Sequence, residues 1–376
     1  MKKRVLIILA VVLCIGVIVT IGLYIGDANT RSWFNKYIFR KDIEESSLPY
    51  VRLEEENNPN IYAYGDNVAI VEDNVLKIYD KSAKVKASIN VSITEAKFAS
   101  VGKYLLLADK DKSNLYLICD TELQWSKTVD GNISQITVNE NGWIAVALSG
   151  TTYKTVIAMY NISGEETLKT YLSSTYVTDM TISNDNKYLS FAEANTSGTV
   201  IESTIKTVSI EKAKTNPNEA IIYKYSTSQD SLIVKIKYDK DKLVAYTDKG
   251  VYIYNKDNEE EIYQIGDNTS FVDISLKNCI AYIGESSKNM KNSDNTICFK
   301  NTENKSLKTY YLKGAVKGLY CKKDLAVINF GNEIEVINTG ASLIKRFDTT
   351  QNVKDIVLGE GVVGIVYKNR VEILGL

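Results

Sequence analysis

A strand-hairpin unit recurs eight times between about Ile61 and Leu376, and no other feature of this chain restricts its fold so tightly. The second strand of each unit reads NVAIV, KYLLLA, GWIAVA, KYLSFA, KLVAYT, NCIAYI, DLAVIN and GVVGIV. The anchors are Val68, Tyr104, Trp143, Tyr188, Leu243, Cys279, Leu325 and Val362, separated by 36, 39, 45, 55, 36, 46 and 37 residues. A β-rich repeat with a period near 40 is the signature of a propeller, in which each repeat supplies one four-stranded blade. The fold class expected is therefore all-β, a β-propeller of eight blades. Seven is the alternative, should one repeat such as the long Tyr188 unit be a miscount. The continuous repeat also overrides length as a guide to domain number, because a closed propeller cannot be cut between blades.

Within each unit the local chemistry is constant. A first strand such as TDMTI (178–182) runs through a polar turn, here SNDNK (183–187), into an apolar second strand. Asn, Asp and Gly favour such turns because they tolerate left-handed backbone or bond their own main chain. Second strands that are apolar nearly throughout imply burial on both faces, as between stacked sheets. Third strands such as GVYIYN (250–255) and NEIEVIN (332–338) alternate, which predicts one polar face. The last unit holds only three strands before Leu376, leaving a sheet edge open. SLPYVRLEE (47–55) has strand character and no other role, so it is expected to pair outside Val371–Leu374 as the missing fourth strand.

Val5–Ile25 is 21 residues without a charge, long enough as a helix to cross a hydrocarbon core of roughly 30 Å. Lys2, Lys3 and Arg4 precede it and Asp27 follows. The positive-inside rule then predicts a cytoplasmic stub (1–4), a transmembrane helix (5–26) and export of everything beyond. The run is too long for a signal-peptide core, and its exit GLYIGDANT is a poor cleavage site. Leu13 is too bulky for a lipoprotein motif ending at Cys14. The connector 27–47 carries Trp33, Phe34, Tyr37 and Ile38 on one helical face, suited either to the outer membrane interface or to packing on the propeller. The expected localisation is a single-pass cell-membrane protein with its propeller (48–376) outside the cytoplasm.

Several chemistries fall away. The chain contains no histidine, which removes Ser-His-Asp and Cys-His catalysis and the commonest transition-metal ligand. Net charge is −1 and becomes −4 once the three basic residues of the stub are set aside, so nucleic acid finds no basic footprint. Cys119, Cys279, Cys298 and Cys321 lie in the exported part. Cys279 and Cys298 sit in one hairpin and could face each other, but buried thiols acting as small apolar side chains fit as well. No C-x-x-C pair exists to suggest zinc. DKDKSN (109–114) echoes a calcium loop, yet Asn114 stands where such loops need glycine, and the repeat phase makes it a hairpin turn. The acidic runs Glu54–Glu56 and Glu259–Glu261 read as solvated faces. Asn90, Asn132, Asn161, Asn195, Asn268 and Asn304 begin N-x-[ST] triplets, for which chance suffices in so Asn-rich a chain. No residue is assigned a catalytic, cofactor-binding or metal-binding role, and no cofactor is implied.

MTISNDNKYLSFAE (180–193) and ITVNENGWIAVALS (136–149) resemble the strand–turn–strand pattern of WD-repeat and periplasmic propellers, over about a dozen residues per blade. The Trp-Asp dipeptide and the Gly-His element of true WD repeats are missing, as is the Trp-rich docking motif of quinone propellers. The whole layout resembles an uncharacterised family of N-terminally anchored propellers of low-GC Gram-positive bacteria. That resemblance implies a fold and an anchor but no activity. The expectation is a non-enzymatic, membrane-tethered propeller acting as a scaffold or sensor for envelope protein partners, with its insertions at Asn195–Thr204, Lys212–Glu219 and Ser286–Asn295 as contact surfaces. Two alternatives stand beside it: a carbohydrate-active or other hydrolytic propeller using channel Asp, Glu and Tyr, and small-ligand binding without turnover.

Overall fold

A computed structural model describes residues 48–54, 59–227, 231–255, 258–285, 295–349 and 351–376, with short stretches at 16–17, 19–24, 34 and 43–45. Nearly all of it is strand, in eight antiparallel meanders of strands consecutive in the chain. Blades 1 to 8 span Asn60–Asn90, Ala96–Thr128, Asn132–Leu172, Tyr176–Ser226, Ile233–Gln264, Thr269–Tyr311, Gly318–Asp348 and Asp355–Gly375. The protein is an all-β, eight-bladed β-propeller. Each of the eight sequence anchors falls at or beside the start of a second strand, so the seven-blade count is set aside.

The chain divides into two compact units, one of 47–267 with 353–376 and one of 1–46 with 268–352. The first holds blades 8, 1, 2, 3, 4 and 5. Its core consists of successive layers between neighbouring blades, not one central mass. Leu106, Leu115 and Leu117 of blade 2 pack on Ile133, Val146 and Ala158 of blade 3. Ala147, Ile157 and Met159 of blade 3 meet Met180, Phe191 and Val208 of blade 4. The second strands YLLLAD (Tyr104–Asp109) and VVGIV (Val362–Val366) are buried at every position. Two-sided burial is what the unbroken apolar runs require. Outer strands such as VKASIN (Val85–Asn90) remain exposed on alternate residues.

The three-stranded end of the chain is completed by β1 (Tyr50–Arg52), which pairs antiparallel with Arg370–Gly375 in the register Tyr50↔Glu372, Val51↔Val371 and Arg52↔Arg370. Flanking bonds from Leu53 N to Asn369 O (2.9 Å) and from Ile373 N to Pro49 O (2.8 Å) extend the ladder. Val51 and Leu53 enter the apolar layer that blade 8 shares with blade 1.

The second unit holds blades 6 and 7. Ile283, Ile297 and Phe299 pack on Ala326, Ile328 and Ile337 between them. The alternation of NEIEVIN misleads here, because Glu335 is only 2% exposed. Its carboxylate accepts from Arg346 Nε at 2.9 Å, and Arg346 also pairs with Glu333 at 3.0 Å. The polar residue is thus buried with its counter-ion from the neighbouring strand. Ile43–Glu45 adds a fifth strand to blade 7, parallel to Leu343–Asp348. The connector reading, a helical face at Trp33, Phe34, Tyr37 and Ile38, contains no strand at this position. The apolar run Val5–Ile25 and the cluster Trp33–Ile38 lie mostly outside the described residues. Among those described, no helix is long and apolar enough to cross a membrane.

Val51→Asp should place a charge in the layer between blades 8 and 1 and lower stability by about 2 kcal/mol or more. Tyr50→Asp, on the exposed side of the same strand, should stay within about 0.5 kcal/mol in urea unfolding.

Candidate functional site

Two polar constructions stand out from the repeat, both in the six-blade unit. The first runs along the first strands of blades 1 to 5. In blades 3, 4 and 5 these strands carry a β-bulge at the same repeat position, with Ser134, Thr178 and Val234 as the extra residue. A bulge leaves a ladder group unpaired. The Ser134 hydroxyl donates to Ala147 O at 3.0 Å and so supplies what the ladder lost, whereas that of Thr178 lies 3.4 Å from Ala192 O and donates at 3.0 Å to Ile233 O of blade 5. Ser270 makes the equivalent bulge and bond in blade 6, to Ile283 O at 3.3 Å.

The residue following the bulge position reaches to the next blade. Lys97 Nζ donates to Ser134 O, Gln135 Nε2 to Thr178 O at 3.0 Å, and Ile236 N donates to Asp179 Oδ2 at 2.8 Å. Ala96 N donates to Asn60 Oδ1 (3.3 Å), continuing the belt to blade 1. Burial pushes the Asp179 carboxyl up to about 6, opposed by the Ile236 and Met180 amides and by the cations Lys235 and Lys97. Lys97 in turn is lowered by burial and by Lys110. Lys97, Gln135 and Asp179 are therefore used in stitching blades together. Asp179 is a strut with an unusual proton affinity, and its carboxylate is already occupied by main-chain donors.

The second construction is a cluster of tyrosines where the strand 2–3 loop of blade 3 meets the link into blade 4. Tyr153 (44% exposed), Tyr171 (52%) and Tyr176 (44%) lie there, and the one other exposed tyrosine among the described residues is Tyr50. The Tyr153 and Tyr171 rings are 4.8 Å apart at 44°, and Lys154 Nζ lies 4.2 Å from the Tyr176 centroid. Gly150, at φ +75°, makes the turn that brings Tyr153 back over the sheet. The link beneath is fixed from below. Thr155 Oγ1 donates to Thr175 O at 2.9 Å, and Thr175 Oγ1 donates to the buried Glu193 carboxylate at 2.8 Å. Glu193 is itself paired with Lys206.

Other sequence candidates resolve plainly. The 196–201 loop rises at the tyrosine end of blade 4, with Ile201 exposed. Lys212–Glu219 is not an open loop: a helical turn at Ile210–Thr215, capped by Ser209, runs into a 3-10 turn at Pro217–Glu219. Residues 286–294, like 55–58, lie outside the described residues. Asp109 of the calcium-like segment is buried and accepts from Thr94 N (2.9 Å) and Glu95 N (3.1 Å), with Lys112 at 3.4 Å. Glu259 and Glu261 accept from Tyr254 and Tyr252 on the neighbouring strand. Cys279 pairs with Asn301 and Cys298 with Tyr282, so the two thiols are not opposite each other across the hairpin. Cys119, Cys279, Cys298 and Cys321 all carry thiols, not disulfides. No group of three His, Cys, Asp or Glu among the described residues could hold a metal. Both constructions escaped the sequence reading. The recurring polar step Lys97, Gln135, Asp179, Lys235 was a signal available in the aligned repeats.

Residues 35–376 match one protein family along their whole length, described as a family of unknown function (DUF5711). The chain belongs to that family. No protein of curated function matches in sequence. Among solved structures it is similar to BamB from Moraxella catarrhalis, at 10% identity and TM-score 0.53 over 89% of this chain and 100% of that one. The C-terminal WD40 domain of Sif2 gives 11% and 0.57 over 89% and 99%. Chaetomium thermophilum Sqt1, bound to the N-terminus of ribosomal protein L10, gives 13% and 0.55 over 89% and 100%. At such identities the likeness is one of fold.

Replacing Asp179 by Asn tests the strut. A carboxyl held at about 6 in the folded protein, against 3.8 ordinarily, loses stability as pH rises from about 4 to 6 and is penalised fully above that. The Asn variant lacks this loss. Its Tm relative to the parent should therefore rise between pH 4.5 and 7.5 in thermal melts, and a flat difference would show that Asp179 titrates normally.

Proposed function

We propose that this protein is a non-enzymatic scaffold or sensor, tethered to the cell membrane by its N-terminus and displaying its propeller outside the cytoplasm to envelope protein partners. The observation that carries the reading is the tyrosine cluster. Three amphipathic side chains are exposed around a link that buried polar groups hold in place. Tyrosine offers a large contact area at small entropic cost, and aromatic clusters on fixed supports are typical of binding surfaces. A rigid propeller suits display, and Sqt1, which shares the fold, is bound to a segment of another protein. The polar belt supports the same reading, since its carboxylate and lysine side chains act in stitching.

The tether rests on the charge-free run Val5–Ile25 and its basic flank. Val17, Val19, Ile21 and Leu23, in the described helical stretch, are about half exposed and would need an apolar surrounding.

Photo-reactive residues at Ile201 and Tyr153, in the full chain expressed in its native membrane, should trap a defined protein in yields well above those at Lys224 on an outer strand. Reproducible capture of nothing at all three positions would contradict the scaffold reading. Protease added outside intact cells should reach the 196–201 loop, whereas protection there would contradict the proposed topology.

A further inference from the structure

We propose that the tyrosine notch on blades 3 and 4 binds an uncharged, proline-rich segment in the polyproline II conformation, an inference that rests on the scaffold reading and names its partner chemistry. The segments that build the notch are SGTTYK (149–154), YLSSTY (171–176) and the neighbouring NTSGTVIE (195–202). They contain two formal charges. Lys154 is engaged over the Tyr176 ring, and Glu202 lies at the margin. A charged partner would meet no matching field, so the complementary surface is neutral.

The shape discriminates further. The Tyr153 and Tyr171 rings, 4.8 Å apart and inclined at 44°, form a splayed notch and not a flat platform. A proline ridge fits such a notch, while stacking of a flat sugar face wants an open ring face. Tyr171 stands on the edge strand Glu166–Leu172 of blade 3, but Tyr153 comes from the strand 2–3 loop and Tyr176 from blade 4, so a strand added at that edge would not engage all three. The notch is also too short to seat the i, i+3, i+4, i+7 stripe of an amphipathic helix. A polyproline II segment makes no internal hydrogen bonds and presents every carbonyl outward. The Tyr153, Tyr171 and Tyr176 hydroxyls make no hydrogen bond among the described residues and can donate to those carbonyls. Because the segment is already extended and the Ser173–Tyr176 link is held by Thr155, Glu193 and Lys206, little order is lost on either side.

The test uses the full-length protein in detergent and a fluorescein-labelled, end-blocked decaproline, read by anisotropy. Saturable binding is expected, weakened at least tenfold by Tyr171→Ala and severalfold by Tyr171→Phe, which removes only the hydroxyl. Tyr50→Ala, the exposed tyrosine on the closing strand, should leave binding unchanged and controls for folding. A Gly-Ser decapeptide should not bind. Absence of decaproline binding at millimolar concentration would overturn the proposal, as would binding indifferent to Tyr171→Ala. Binding of chitotetraose, or of a second copy of this chain, through Tyr171 in place of decaproline would overturn it equally. A photo-reactive residue in place of Tyr171 separates the two claims. Capture of a protein in cells without decaproline binding leaves the scaffold reading intact and removes this one, and failure of both removes both.

Discussion

Everything in the six-blade unit depends on burying second strands on both faces. A lone four-stranded meander with an apolar strand in its middle has nowhere to hide either face, and only a neighbouring blade can cover it. Leu106 is covered by blade 3 and Leu105 by blade 1, so adjacent residues of one strand belong to two different layers. Removing one blade would expose two layers at once. This is why the terminal blade is completed by Tyr50–Arg52, a strand drawn from the start of the chain.

The polar belt follows from the same constraint. First strands crowd together more closely than outer ones, and the bulges at Ser134 and Thr178 bend them locally. Each bulge exposes main-chain groups that would be costly if left unmet. The side chains of Lys97, Gln135 and Asp179 meet groups on the following blade, which turns a packing irregularity into an inter-blade tie. A carboxylate used in this way gains donors but loses water. The raised proton affinity of Asp179 is the result.

The fold was legible because its signal is repeated eight times, and Val68 through Val362 mark second strands with little error. Closure by 47–55 could be argued from an unpaired last blade. Ile43–Glu45 could not, since three residues of mixed polarity pairing parallel to Leu343–Asp348 carry no local pattern. Burial of Glu335 was hidden for a different reason: alternation in NEIEVIN says which face is polar, but not that Arg346 waits on the adjacent strand. The tyrosine cluster was obscured by abundance. Among 25 tyrosines, Tyr153, Tyr171 and Tyr176 become distinctive only when folding exposes them together while leaving nearly all the other described ones buried or half-buried.

The proposed contact surface is only as fixed as the layers beneath it, so the cooperativity of those layers is the decisive quantity. Hydrogen exchange of the full-length protein in mild denaturant, followed by mass spectrometry, measures it directly. The inter-blade account predicts that Leu105–Ala108, Ala145–Leu148, Leu189–Ala192 and Val362–Val366 open together, with one common dependence on denaturant. Blade-by-blade opening, with blade 3 or 4 exchanging long before its neighbours, would contradict it.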